Sequence, residues 1–187
     1  MKKLQLFVLI ICFTRLDVGA QPKIPQADKS SMDISYYPDN YPLLKVQEKP
    51  GGPLLARVIY SRPNKNGRAI FGDLIEFGKV WRLGANEATE IEFFQNVKIR
   101  EGRIKKGRYT LYALPAADKW TFIFNKDTDT WGSFKYNPQK DVLRVDVPVE
   151  KHAGITETFA MLFDKNGEGF SLLVFWDDVK VSLPISL

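Results

Sequence analysis

From Leu54 onward, apolar and polar residues alternate with a period of two, the mark of strands that bury one face. In Thr89-Glu90-Ile91-Glu92-Phe93, Ile91 and Phe93 point one way and the two carboxylates the other. Val97 and Ile99 alternate with Lys98 and Arg100, and Leu143, Val145, Val147 and Val149 alternate with Arg144, Asp146 and Pro148. Pro148 has no N–H to give to a ladder, which predicts an edge strand there. Five further strands are expected over 108–114, 120–125, 155–163, 170–176 and 179–185, separated by turn clusters such as Glu101-Gly102 and Asp164-Lys165-Asn166-Gly167-Glu168-Gly169. Apart from a single turn near Gly72 to Glu76, no window carries the 3.6-residue spacing of an amphipathic helix. The pattern predicts an all-β chain, an antiparallel β-sandwich or barrel-like domain of eight to ten strands. Trp120-Thr121-Phe122-Ile123-Phe124 and Leu172-Leu173-Val174-Phe175-Trp176 are apolar on both faces and are expected at its centre.

The pattern differs ahead of Leu54. Six of the eleven prolines fall between Pro22 and Pro53. Proline fixes φ and cannot donate, so regular helix and central strand are not expected there. Met32, Ile34, Tyr36 and Tyr37 are too apolar for a free linker, which predicts a Pro-rich extended arm over 21–53 packed on a single β domain over 54–187, with Gly51-Gly52 as the hinge. The first twenty residues form an address. Lys2 and Lys3 precede an apolar run from Leu6 to Phe13, and Val18-Gly19-Ala20 supplies small residues before Gln21. That is the tripartite pattern of a secretory signal peptide. The run is far short of the about 20 residues that cross a bilayer, so no transmembrane segment is expected in the mature chain. A lipid anchor on Cys12 is disfavoured because Ile11, rather than a small residue, precedes it. The expected destination is the periplasm or the extracellular space.

Composition then closes several chemistries. The chain has 187 residues with one Cys and one His. Loss of 1–20 would remove the Cys and lower the net charge from +5 to +3, since Lys2, Lys3, Arg15 and Asp17 leave with it. Thiol catalysis and thiolate metal binding would go too, and a zinc site cannot be assembled from one His. His152 lies in the polar stretch Glu150-Lys151-His152-Ala153-Gly154 and is expected as a solvated loop residue. No G-x-S-x-G elbow is present for a serine nucleophile. The 164–169 turn resembles the start of a calcium loop, but its twelfth position is Phe175 instead of a bidentate Glu. Asp127 and Asp129 are a weaker calcium candidate. Neither metal nor cofactor is expected. The basic run Arg100, Arg103, Lys105, Lys106 and Arg108 surrounds a hairpin, where charges discourage edge pairing, and predicts no nucleic-acid partner.

One constellation is costly from a folding standpoint. It runs from Tyr60-Ser61-Arg62-Pro63 through Gly67-Arg68-Ala69-Ile70-Phe71-Gly72 to Gly78-Lys79-Val80-Trp81-Arg82-Leu83-Gly84-Ala85-Asn86-Glu87. Arginine forks bind carboxylate, phosphate or sulfate in bidentate fashion, and their planes stack on aromatic faces. Arg62, Arg68, Trp81, Arg82, Asn86 and Glu87, with Trp131 as a stacking wall, are the candidate ligand-binding residues. The competing interpretation is an internal network in which Arg82 pairs with Glu87 and the other arginines hold loop carbonyls.

The same motifs, together with Lys106-Gly107-Arg108-Tyr109-Thr110-Leu111, Asp129-Thr130-Trp131-Gly132, Asp28-Lys29-Ser30, Tyr36-Tyr37-Pro38 and Trp176-Asp177-Asp178-Val179-Lys180-Val181, carry a resemblance. The chain resembles the bacterial family designated domain of unknown function 2911. That resemblance implies a secreted or envelope protein with a mainly β domain, and it implies no activity and no catalytic residues. The expected function is a non-catalytic binding domain for a polar or anionic small ligand or glycan. Two alternatives stand beside it. One is a carboxylate-based hydrolase using Glu87, with a second carboxylate about 5 to 9.5 Å away if the substrate is a glycoside. The other is a structural or interaction protein of the cell envelope. Expression of the whole chain in a secreting bacterium should yield an exported protein whose intact mass begins at Gln21. Retention of residues 1–20 on a cytoplasmic product would overturn the export assignment.

Overall fold

A computed structural model describes residues 22–167 and 169–187; the expected leader, Cys12 and Glu168 lie outside the described residues. The described chain is mostly β. Its strands are β1 (Met32–Tyr37), β2 (Ala56–Ser61), β3 (Glu90–Phe93), β4 (Val97–Ile99), β5 (Gly102–Ile104), β6 (Gly107–Pro115), β7 (Lys119–Asn125), β8 (Asp141–Asn166) and β9 (Gly169–Ile185). Seven of them form one antiparallel sheet in the order β1-β2-β3-β6-β7-β8-β9, curled into a half-barrel, and β4 and β5 make a separate hairpin. The all-β, barrel-like expectation is met.

Curling follows from the length of β8, which runs for 26 residues. Its first part, to Pro148, pairs with β7, and from Val149 it pairs with β9. Register shifts between Lys151 and Thr156 and again before Ala160 bend the strand, as bulges do. The far half then swings round to meet the start of the sheet. Asn64, just past β2, bridges Thr158, the Phe159 N–H donates to the Pro63 carbonyl at 2.9 Å, and the Ser35 and Tyr60 hydroxyls both donate to the Met161 carbonyl. Two expectations change here. Residues 150–154 belong to one continuous strand instead of a loop between two, with a bulge over 152–155 on which His152 sits, its ring edge-on to Phe175. In strand order β8 is internal, but Pro148 is the last residue paired to β7 before β9 engages, so its missing N–H is tolerated.

The Pro-rich stretch contributes β1, which pairs along its whole length with β2, and a six-residue helix, α1 (Tyr41–Val46). Helix was not expected among these prolines. It forms because Pro42 falls in the first turn, where a missing N–H leaves no bond unmade.

Alternation sends Val58, Tyr60, Ile91, Leu111, Phe122, Phe159, Leu172 and their neighbours into one core, with Val97, Ile99 and Ile104 of the hairpin closing one end. At its centre five rings meet. Trp81 stacks on Trp176 with centroids 5.9 Å apart and lies edge-on to Trp120 and Phe159, while Phe71 caps the group. Such pairs add about 0.5–1.5 kcal/mol each beyond the apolar area they bury. A smaller cluster lies on the outer face, where Ile123, Tyr112 and Ala88 pack with Val80, Leu114 and Tyr136. Strand β7 is therefore covered on both sides, as its sequence required, whereas the 172–176 run, expected beside it at the centre, lies on β9, the last strand of the sheet, with Leu173 and Phe175 only half-buried. Trp176→Ala should lower the unfolding free energy by about 3–5 kcal/mol in urea titration. A loss below about 1 kcal/mol would mean that the five-ring group is not the centre of the core.

Candidate functional site

The segment between β2 and β3 builds the candidate site. Trp81 exchanges both backbone hydrogen bonds with Ala113 of β6, at 2.7 and 2.9 Å, and so occupies the place beside β6 beyond the end of β3. Successive side chains of an extended segment face opposite ways. Trp81 turns inward to its aromatic partners, which sends Val80 and Arg82 to the outer face. Trp81 is thus a core residue, 5% exposed, and its indole N–H donates to the Gly84 carbonyl.

Arg82 is the exception among the three arginines. Its Nε is buried with no acceptor, and none of the ten ion pairs among the described residues involves it. Burial alone pushes its guanidinium below its ordinary pKa. It lines a pocket of about 160 Å³ together with Leu74, Glu76, Lys79 and Ser133. The anticipated Arg82–Glu87 pair does not form among the described residues.

The loop that presents Arg82 is held from several directions. Leu83 is fully buried yet has φ 54°, a conformation that costs a bulky residue about 1–3 kcal/mol. The Thr89 side chain donates to the Leu83 carbonyl and the Thr89 N–H to the Arg82 carbonyl. At Gly84, φ is 150° and a Cβ would sit 2.9 Å from the Ser61 carbonyl oxygen, so only glycine allows this approach. Asn86 takes a left-handed position at φ 57°, which Asn tolerates, and its carbonyl accepts the Gly132 N–H at 2.9 Å. That bond, with Ser133 Oγ donating to the Val80 carbonyl, lays the 131–136 loop beside Arg82. Tyr136 anchors the far end of the loop, donating to Asp141 and accepting from Arg144. Burial, then the Asp141 hydrogen bond and charge, push its phenol up to about 12.

The other candidates go elsewhere. Arg62 donates to Asp33 at 2.9 Å and to the Phe159 carbonyl at 3.2 Å, tying β1 and the chain after β2 to β8. Arg68 bonds the Lys65 and Asn64 carbonyls within its own turn. Glu87 is exposed and opens on a different recess, of about 250 Å³, that also holds Glu90 and Asp129. Arg108 clamps both of those carboxylates, at 3.2 and 2.6 Å. Trp131 is 62% exposed and bridges Glu87, outside the lining of the Arg82 pocket. Of the seven candidates, Arg82 and Trp81 thus belong to one locality, with Asn86 fixing its loop, while Trp131 and Glu87 lie side by side at another. Lys79 and Ser133 join Arg82 unannounced; Lys79 stood inside the quoted motif, while nothing in the sequence marked Ser133.

Larger recesses lie at the β4–β5 hairpin, including one of about 490 Å³ against Val97, Ile104 and Leu187. The cations around them, Lys98, Arg100, Arg103, Lys105 and Lys106, are exposed, and no buried polar group converges there. Among the described residues no three His, Asp or Glu side chains gather as metal ligands, and no helix is long and apolar enough to cross a membrane.

A half-buried guanidinium whose Nε is closed to solvent without an acceptor destabilises the protein around it. Arg82→Met should therefore raise the unfolding free energy by about 1 kcal/mol. Arg62→Met, which removes the hydrogen bonds to Asp33 and the Phe159 carbonyl, should lower it by about 1 kcal/mol. Urea unfolding of the two variants checks both signs, and a destabilised Arg82→Met would make Arg82 a structural pin.

No curated protein and no solved structure matches the chain. A family model described as Protein of unknown function (DUF2911) matches residues 43–185, and the chain belongs to that family.

Proposed function

We propose that this is a non-catalytic binding protein, exported from the bacterial cytoplasm, that takes a small anion at Arg82. The observation that carries the proposal is Arg82 itself, half-buried, with no acceptor for its Nε, outside every ion pair among the described residues, and lining a pocket that also includes Lys79. A carboxylate, phosphate or sulfate would supply the counter-charge the fold does not, and guanidinium forks suit all three. The strained, many-times-pinned loop around Leu83 and Gly84 supports the same assignment, because strain persists where a position has to be held. Glu76 at the pocket leaves a modest positive balance, which suits a single charged group better than a polyanion.

The hydrolase alternative has less behind it. Glu87 would need a second carboxylate able to exchange a proton, and its two neighbours in the recess are both committed to Arg108. Export rests on the residues of the leader, and the glycan reading on the exposed face of Trp131.

Thermal unfolding in inorganic phosphate, sulfate and acetate, at ionic strength matched with chloride, tests the proposal. Ligand at 100 times its dissociation constant stabilises by about 2.7 kcal/mol, which is several degrees in a chain of this size. At least one of the anions should raise the midpoint of the wild type and leave Arg82→Gln unmoved. Equal shifts in both proteins, or a response to neutral sugars only, would remove Arg82 as the site.

A further inference from the structure

We infer that the β4–β5 hairpin is a docking surface for an anionic phospholipid bilayer. Its cations meet the headgroup charge, and the recess beside Leu187 takes an acyl chain. The observations behind this are independent of Arg82.

Charge comes first. Lys98 and Arg103 stand directly opposite each other in the ladder. The two strands bury Val97, Ile99 and Ile104, which turns Lys98 and Arg103 to one exposed face. Like charges directly across a strand pair destabilise it. Arg100, Lys105 and Lys106, all exposed, extend the cluster, and Glu101 is the only acidic side chain between Val97 and Gly107. Glu101 reaches only Lys98, at 3.9 Å, and is itself 98% exposed. None of the ion pairs among the described residues takes Arg100, Arg103, Lys105 or Lys106. Asp146, which shares a recess with Arg100, is held by Lys119 and Thr121.

Guarding a sheet edge does not account for this cluster. Such protection calls for charge on the outermost strand. Strand β4 is not outermost: β5 pairs with it on one side, and on the other Lys98 exchanges both backbone bonds with Ser186, each at 2.8 Å. Lys98 therefore adds repulsion opposite Arg103 without guarding an edge.

The recess selects the kind of anion. It measures about 490 Å³, and Val97, Ile104 and Leu187 line it together with Lys98, Arg103 and Lys105. Leu187 is 62% exposed, so folding leaves it largely uncovered. A soluble polyanion has nothing to place against these apolar side chains. A phospholipid has both parts, a charged headgroup for the rim and a chain for the recess. Long basic side chains lie along apolar matter while their charges stay in the headgroup layer.

Co-sedimentation with vesicles of phosphatidylcholine, alone or with about 30% phosphatidylglycerol, tests the inference. The protein should bind the mixed vesicles and not the neutral ones, and raised salt should weaken binding. Each cation near such a surface contributes about fivefold, so Lys98→Gln/Arg103→Gln should lower partitioning about 25-fold. Lys135→Gln/Lys151→Gln removes as much charge from exposed positions outside the hairpin and should lower it less than about threefold. Leu187→Asn, with every cation kept, should lower it at least about threefold. The hairpin double variant should keep or gain stability in urea, because the repulsion between Lys98 and Arg103 is gone.

Equal binding to neutral vesicles, or equal losses from the two double variants, would overturn the inference. So would full binding by Leu187→Asn. Binding to inorganic polyphosphate without binding to the mixed vesicles would make the hairpin a polyanion surface and would likewise overturn it. The anion site at Arg82 stands or falls by its own thermal assay.

Discussion

The stack of Trp81 on Trp176 is the contact on which the remaining geometry depends. Trp176 comes from β9, Trp120 from β7, Phe159 from the bent half of β8 and Phe71 from the loop after β2, and Trp81 touches all four. A sheet that curls only part of the way round needs something to fill its concave face, and here large rings supplied by loops as well as strands fill it. Because Trp81 also exchanges backbone bonds with Ala113, its inward direction is fixed, and the pleat then allows Arg82 only the outer face. The position of the arginine whose buried Nε lacks an acceptor follows from the packing of the residue beside it.

That coupling explains why the strain sits where it does. After Arg82 the chain must return to β3 within a few residues, and it does so through left-handed Leu83 and Asn86 with Gly84 pressed against Ser61. None of these conformations is favourable alone. They are held by Thr89 below, by the Trp81 indole within the loop and by the 131–136 loop above. A protein selected for stability alone has cheaper ways to make this connection, since natural chains tolerate such costs mainly where activity needs them.

The strands were legible from sequence because a period of two on a half-buried sheet leaves a direct trace. Phe122, Phe124, Val145, Val147, Leu172 and Val174 all face the core, as their alternation required. What the pattern did not carry were events between distant residues. The continuity of β8 through His152 depends on β9 opposing a bulge, and nothing local separates a bulge from a loop. The pairing of β1 depends on β2, some twenty residues away. The arginines were harder still. Arg62 finds a carbonyl 97 residues on, while Arg68 is satisfied within its own turn, yet both sit in the same kind of Gly- and Pro-flanked setting. Glu87, five residues after Arg82, looked like its natural partner, but two left-handed turns intervene and direct it to another recess.

The two recesses also divide the chemistry. Around Glu87, carboxylates are plentiful but the Arg108 fork neutralises the two nearest, and the Asp129 N–H donates to Glu90 as well, so that charge is already matched inside the protein. Around Arg82 the balance is reversed: a fixed cation, a second cation at Lys79, and no protein group positioned to answer the buried Nε. Acid–base catalysis needs a group free to gain and lose a proton near neutrality, whereas a guanidinium stays charged and serves by holding an anion in a defined orientation. The only histidine, which would be the usual proton carrier, lies on the β8 bulge against Phe175 and lines neither recess. The fold thus matches charge internally at one recess and leaves it unmatched at the other.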